Sequence, residues 1–203
     1  GVDRKTGLPA VPTSPDLTFP AIEEATLGNG VKIVLANRRT VPVVNISLQF
    51  DAGYASDATG AKLGAAAFAG AMLDEGAGRR TALEIAEELE GLGATLNVGS
   101  NLDMTGVTLS ALKSNLAASL DVMADVVRNP SFDQDEIGKL RDRWIAGIEQ
   151  EQANPVQLAL RLLPPMMYGE GHAYGVPFTG SGTIASVKSL TRDDLTKFHA
   201  TWI

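Results

Sequence analysis

The chain has 203 residues and no cysteine, so it is long enough to bury a substantial core, and neither a disulfide framework nor a thiolate metal site is possible. A net charge of −7 argues against nucleic-acid and anionic-membrane partners, because both require clustered Lys and Arg. No apolar run approaches the ~20 residues of a membrane span, which predicts a soluble segment and leaves a periplasmic or secreted location open.

Residues 1–20 are predicted to be a linker, because four of the ten prolines fall there and proline at that density favours extended backbone without strand pairing. We expect this linker to join the domain to a preceding segment. Residues 21–203 are then expected to form a single domain.

Short strands follow the linker. An Asn-Gly dipeptide predicts a hairpin turn between strands at residues 24–27 and 31–36. The β-branched residues at 41–50 predict a central strand, with Pro42 confined to its start. Residues 51–60 are predicted to be a loop.

The stretch Leu63–Gly76 predicts a helix made mostly of alanine and glycine. Its internal glycines, Gly64 and Gly70, each cost roughly 1 kcal/mol relative to alanine, so a property other than helix propensity must favour them. Small side chains let a sheet or a second helix approach closely. The sequence therefore predicts a buried helix.

The second half of the chain predicts helices around a second hairpin. A capping box at Thr81–Glu84 starts the first of these helices. The later elements, in chain order, are strands at 94–99 and 104–110, a helix with a stripe of Leu116, Leu120, Met123 and Val127, a helix at 133–153, a helix from Asn154 to near Pro164-Pro165, a glycine-rich loop at 169–182, and a helix capped by Thr191. Hairpins followed by paired helices indicate an α+β fold, with a largely antiparallel sheet and helices packed on one face.

The polar residues do not form a catalytic constellation. His172 and His199 lack a second histidine at ligand spacing, so we interpret both as structural or solvated. Asp74 and Glu75 are interpreted as a solvated helix end. Ser181 lies in a Gly-Ser-Gly run without the strand-turn-helix context of a nucleophile or the lysine of a phosphate loop.

Seven stretches carry a resemblance to a known family: residues 27–38, 52–57 (AGYASD), 64–76 (GAAAFAGAMLDEG), 89–98 (LEGLGATLNV), 129–137 (NPSFDQDEI), 172–175 and 191–199. On these stretches the sequence resembles the pitrilysin/insulinase-type zinc peptidases, or inverzincins, whose signature is HxxEH on a helix. The resemblance covers nearly the whole chain. It implies the α+β fold of the mitochondrial processing peptidase.

The resemblance also implies where the functional residues of an active member would lie. Ala67 takes the place of the first histidine, Gly70 that of the general-base glutamate, and Ala71 that of the second histidine. The third zinc ligand, a glutamate on a later helix, falls at about Gly147, and Glu149 and Glu151 are the alternatives in a shifted alignment. Taken by themselves, Glu149 to Glu151 are interpreted as an exposed helix face. Methyl groups and hydrogens cannot coordinate zinc or activate water. We therefore expect no catalytic residue, metal or cofactor in this domain, and zinc only in an active half.

This pattern resembles the family's inactive halves, which pair with an active half to enclose a peptide-binding chamber. The expected partners are an active peptidase half, in the same chain or a partner subunit, and a peptide substrate. The alternative is a structural or assembly subunit of the same fold without a peptidase partner. Because family members continue beyond the equivalent of Ile203, the resemblance also implies a fragment of a longer chain.

Overall fold

The structure, a computed structural model, describes residues 18–169 and 171–203. Its internal contacts divide the chain into two units, one ending at Val41 and the other beginning at Pro42. Residues 1–17 of the predicted linker lie outside the described residues. A single domain over residues 21–203 remains a prediction.

The first unit contains the predicted hairpin. Strand β1 (Ile22–Thr26) pairs antiparallel with β2 (Lys32–Ala36). Gly30 has a φ of 90°, which favours glycine, and the Leu27 amide donates to the Val31 carbonyl at 2.9 Å to close the turn. The Asn-Gly prediction is confirmed.

The second unit contains a three-stranded antiparallel sheet made of β3 (Val43–Phe50), β4 (Thr95–Ser100) and β5 (Thr105–Leu112). The strand order is β3-β5-β4, so the prediction of a central strand at 41–50 is wrong: β5 is the central strand. The strand also starts later than predicted, after Pro42, which has no amide to donate and whose carbonyl accepts from Lys113 at 2.9 Å.

The central strand separates the core face from the outer face of this sheet. Along β5 the side chains of Thr105, Val107, Leu109 and Ala111 are buried, whereas those between them are half-buried or exposed. Only this face of β5 is fully buried, and helices contact β4 and β5, which confirms an α+β fold with an antiparallel sheet and helices on one face.

The described residues also contain seven α-helices and two short 3₁₀ helices. They are α1 (Ala65–Ala71), α2 (Ala82–Leu92), α3 (Leu116–Arg128), α4 (Gln134–Ala153), α5 (Pro155–Tyr168), α6 (Ile184–Ser189), α7 (Arg192–Trp202), and the 3₁₀ helices Tyr54–Thr59 and Lys113–Asn115. The capping box of Thr81 and Glu84 is confirmed. The predicted loop at 51–60 contains the first 3₁₀ helix, and α6 was not predicted. Within this part of the chain no helix is long and apolar enough to cross a membrane.

The inward face of α3 differs from the predicted stripe. Met123 and Val127 are buried as expected, but Leu120 is 36% exposed. Val122 and Val126 are fully buried instead. The buried face of α3 is therefore shifted by about one residue from the face that the leucines predicted.

Helix α5 continues past the proline pair that was expected to end it. Pro164 and Pro165 lie inside the helix, which runs to Tyr168. A proline at 164 cannot donate to the carbonyl of Leu160. That carbonyl accepts a hydrogen bond from the Phe178 amide at 2.9 Å instead. The glycine-rich segment thus satisfies the acceptor that the proline frees.

Candidate functional site

The first half of the candidate site is α1, the helix that carries three of the four family positions. Its N-terminus is fixed by Asp57, whose carboxylate accepts hydrogen bonds from the amides of Gly64 (2.6 Å) and Ala66 (3.0 Å). Asp57 is only 4% exposed. Burial raises the pKa of its carboxyl to about 7, although the two amide hydrogen bonds act to lower it.

Ala67 and Ala71 lie one turn apart on this helix, as the family pattern requires. Both are half-buried, whereas their neighbours Ala66, Phe68 and Ala69 are fully buried. The prediction of a buried helix is confirmed for the surrounding residues. At these two positions the side chains end in methyl groups, which offer no lone pair to a metal.

Gly70 is buried and packs directly against the sheet. A Cβ at this position would lie 2.7 Å from Ser100 Oγ, closer than non-bonded atoms tolerate. The serine is held in place by a hydrogen bond to Thr105 Oγ1 at 2.8 Å. Thr105 in turn donates to the carbonyl of Ala52 at 2.7 Å. The hydroxyl of Ser100 on β4 therefore lies where a side chain at the family's general-base position would begin.

Gly147 lies on α4, which the structure joins to α1 through aromatic packing. The rings of Phe68 and Trp144 have centroids 5.3 Å apart, and Trp144 is one turn before Gly147. A Cβ at Gly147 would meet no described atom within 4 Å apart from its own helix backbone. Space for a larger side chain exists here, in contrast to Gly70.

A buried ionic network lies one turn further along α4. Arg161 is 7% exposed, and its guanidinium donates to Glu151 Oε2 (2.6 Å), to Ser181 Oγ (2.6 Å) and to the Gly182 carbonyl. Ser181 also donates to Glu151 Oε2 at 2.7 Å. The interpretation of Glu151 as part of an exposed helix face is wrong, because this network pairs it and leaves its side chain only 22% exposed. Sequence reasoning missed Arg161, whose place in an apolar helix was the one available signal.

The same network engages Ser181. Its hydroxyl bridges Glu151 and Arg161, and its carbonyl accepts from Trp144 Nε1 at 3.0 Å. The Gly-Ser-Gly run therefore ties the loop after α5 to α4. Its function in the structure is to hold these elements together.

Both histidines make contacts within the fold, and His172 is exposed. His199 Nε2 donates to the Val127 carbonyl at 2.7 Å. His172 Nδ1 accepts from the Tyr174 amide at 3.0 Å, and its ring stacks on Tyr168 with centroids 5.2 Å apart. Among residues 18–169 and 171–203, no group of three or more His, Cys, Asp and Glu side chains is arranged to hold a metal ion.

The acidic pair after α1 is less solvated than expected. Glu75 accepts a hydrogen bond from Arg143 at 3.0 Å. Asp74 is half-buried, and its pKa is raised chiefly by burial and to a smaller extent by the charge of Glu75. A solvated helix end is thus an incomplete description, because Glu75 is paired with Arg143 of α4 and Asp74 is half-buried.

An antiparallel sheet packed on a buried small-residue helix, with a second helix joined to it at Trp144, defines an α+β domain. Residues 32–175 match the insulinase family, peptidase family M16. The chain belongs to this family, which confirms the resemblance seen in the sequence.

Individual relatives agree with this assignment. The fold is similar to the structure of a peptidase M16 inactive domain from Pseudomonas fluorescens (TM-score 0.83, 30% identity, 89% of this chain and 43% of that one). The chain is 29% identical over 192 residues to a probable mitochondrial-processing peptidase subunit beta of Arabidopsis thaliana, covering 91% of this chain and 34% of the relative. It is also 29% identical over 177 residues to an uncharacterized zinc protease of Bacillus subtilis, covering 87% and 42%. The chain thus spans less than half the length of these relatives.

Proposed function

We propose that this chain is a non-catalytic peptidase-like domain that pairs with an active HxxEH zinc-peptidase half to complete a peptide-binding chamber. The observation that carries the proposal is the packing of Gly70. With 2.7 Å between a Cβ and Ser100 Oγ, a glutamate does not fit at the general-base position unless the serine side chain rotates and gives up its hydrogen bond to Thr105. A hydrolytic zinc site needs a base or a bound hydroxide to activate water.

The metal-ligand positions support the same proposal. Ala67 and Ala71 supply only methyl groups, and Gly147 supplies a hydrogen. A catalytic zinc site uses three protein ligands with nitrogen, oxygen or sulfur lone pairs. Removing all three leaves nothing to bind zinc in the family's geometry, so zinc is assigned to the partner half.

The relatives give the reason to expect a partner. One is named as a subunit of a processing peptidase, and the chain spans 34% of its length. A domain of this class that cannot hydrolyse peptides by itself can still enclose and orient a substrate. The active half is expected either in the same chain or in a partner subunit, and peptides are the expected substrate class.

Two measurements test the proposal. After dialysis, elemental analysis of the chain is expected to give no stoichiometric zinc, and a fluorogenic peptide is expected to remain uncleaved at added zinc. As a positive control, the variant Ala67→His, Ala71→His, Gly147→Glu is expected to retain about one zinc per chain, since it restores three ligands. Tightly bound zinc or chelator-sensitive cleavage in the unmodified chain would contradict the non-catalytic assignment.

The pairing requires a separate experiment. Adding this chain to the cognate HxxEH half is expected to raise peptide turnover above that of the active half alone, because an enclosed substrate is better oriented and shielded from water. Equal turnover with and without this chain would sink the chamber role. The structural or assembly subunit would then be the better description.

A further inference from the structure

Helix α5 presents an apolar face to solvent, which is the reverse of the usual arrangement. Val156, Leu160, Leu163 and Met167 follow one another at spacings of four, three and four residues, so they form a single stripe along the helix. Their exposed fractions are 68%, 39%, 50% and 72%. The buried side of the same helix carries its one charged residue, Arg161.

Leu162 (54% exposed) and Met166 (79% exposed) flank this stripe and widen it. Together the six residues expose apolar surface on the order of 600 Å², at the upper end of the patches found on monomers. Monomeric proteins rarely expose a continuous apolar patch of this size without a binding function. We call these six residues the α5 stripe.

We propose that the α5 stripe is the contact surface of a homodimer, in which α5 packs antiparallel against α5 of a second copy of this chain. The spacing of four, three and four residues reads the same in both directions. An antiparallel copy therefore sets Val156 opposite Met167 and Leu160 opposite Leu163 across a two-fold axis. That axis falls at the middle of Pro155–Tyr168, so the two helices overlap along their full length.

The absence of exposed charge on α5 permits a second copy at this face. Each chain has a net charge of −7, so two copies repel one another on average. Between Pro155 and Tyr168 the one charged residue is Arg161, which is buried and paired with Glu151. Two α5 helices can thus meet without bringing like charges together. A membrane is a poorer fit, because an interfacial helix needs Lys and Arg on its polar face.

Sedimentation velocity on the full chain between 1 and 100 μM tests the proposal. A species of twice 21.3 kDa is expected, with a population that rises with concentration. Leu163→Glu and Met167→Glu are expected to weaken self-association at least tenfold, while circular dichroism stays unchanged because both side chains are exposed. Leu83→Glu on α2 is the matched control, since this leucine is 66% exposed outside the stripe, and it should dimerise normally.

Cysteine cross-linking tests the antiparallel geometry, since the natural chain has no thiol to interfere. A mixture of Leu160→Cys and Leu163→Cys chains is expected to form several-fold more disulfide dimer than either variant alone, because the proposed pairing sets these positions opposite each other. A monomer at 100 μM, open-ended aggregates, or equal loss of association in the Leu83→Glu control would overturn the homodimer. Binding of a different protein through the stripe, without self-association, would likewise overturn it. None of these outcomes bears on zinc binding, so the proposed function is tested independently.

Discussion

Replacing Gly70 by alanine is expected to destabilise the domain, although alanine is the better helix former. In a helix interior, alanine is favoured over glycine by roughly 1 kcal/mol. The new Cβ, however, would lie 2.7 Å from Ser100 Oγ, so the serine must rotate and lose its hydrogen bond to Thr105. Losing that bond costs about 1 kcal/mol, and overpacking costs about 1–3 kcal/mol. The net loss is about 1–3 kcal/mol in the free energy of unfolding.

The sign of the effect should reverse once the serine hydroxyl is removed. In the Ser100→Ala background the nearest remaining atoms to a Cβ at Gly70 are Thr105 Cγ2 at 3.7 Å and the Cβ of residue 100 at 4.0 Å, which are ordinary contacts. Gly70→Ala should then stabilise the domain by up to about 1 kcal/mol through helix propensity. The coupling between positions 70 and 100 is therefore about 2–4 kcal/mol.

Urea denaturation followed by circular dichroism measures all four members of this cycle. Gly138→Ala on α4 is the control, because a Cβ there meets no described atom within 4 Å apart from its own helix backbone, and it should be equally favourable in both backgrounds. If Gly70→Ala stabilised the unmodified chain, or had the same effect with and without Ser100, the close approach of α1 to the sheet would be refuted.

Two further substitutions test the buried charges. Arg161→Met should lower the free energy of unfolding by about 3 kcal/mol because it leaves Glu151 without its buried partner. Arg143→Met, at a side chain 65% exposed, should lower it by less than about 1 kcal/mol. Equal losses of the two variants in urea denaturation would contradict this difference. Asp57 has a pKa raised by burial from 3.8 to about 7, so the native state binds this proton more tightly than the unfolded state does. Its contribution to stability is therefore fully present below pH 3.8 and is lost as the pH rises through 7, by about 4 kcal/mol in total. The Asp57→Asn variant should lack this decline between pH 4 and pH 7, and parallel pH profiles of the two proteins would contradict the assignment.

The sequence predicted those features whose causes lie within a few residues of each other. The Asn-Gly turn and the Thr81 capping box each depend on neighbours at most three positions apart, so single-sequence reasoning identified them. The predicted end of α5 was wrong because Pro164 leaves the Leu160 carbonyl without its helical donor, and the Phe178 amide donates to it instead. Phe178 follows Pro164 by 14 residues, so this contact cannot be recognised from the local sequence pattern. The partners of Arg161 were missed for the same reason.

At the candidate site, too, the sequence showed which residues are present but not what they contact in the folded domain. The family resemblance placed Ala67, Gly70, Ala71 and Gly147 at the functional positions but treated all four as equivalent losses. The structure distinguishes them, because Gly147 has room for a side chain and Gly70 does not. Only the packing of Ser100 against α1 carries that information.

This difference predicts unequal outcomes when the family residues are restored. The variant Ala67→His, Ala71→His, Gly147→Glu adds ligands at two half-buried positions and one open position, so we expect it to fold and to retain zinc. Adding Gly70→Glu places a carboxylate against Ser100 in the core, which should cost at least about 3 kcal/mol from overpacking and charge burial. Thermal unfolding of the two variants, with zinc analysis of each, separates these expectations. A quadruple variant as stable as the triple one would mean that α1 moves away from the sheet readily, and the packing of Gly70 would then no longer support a non-catalytic domain.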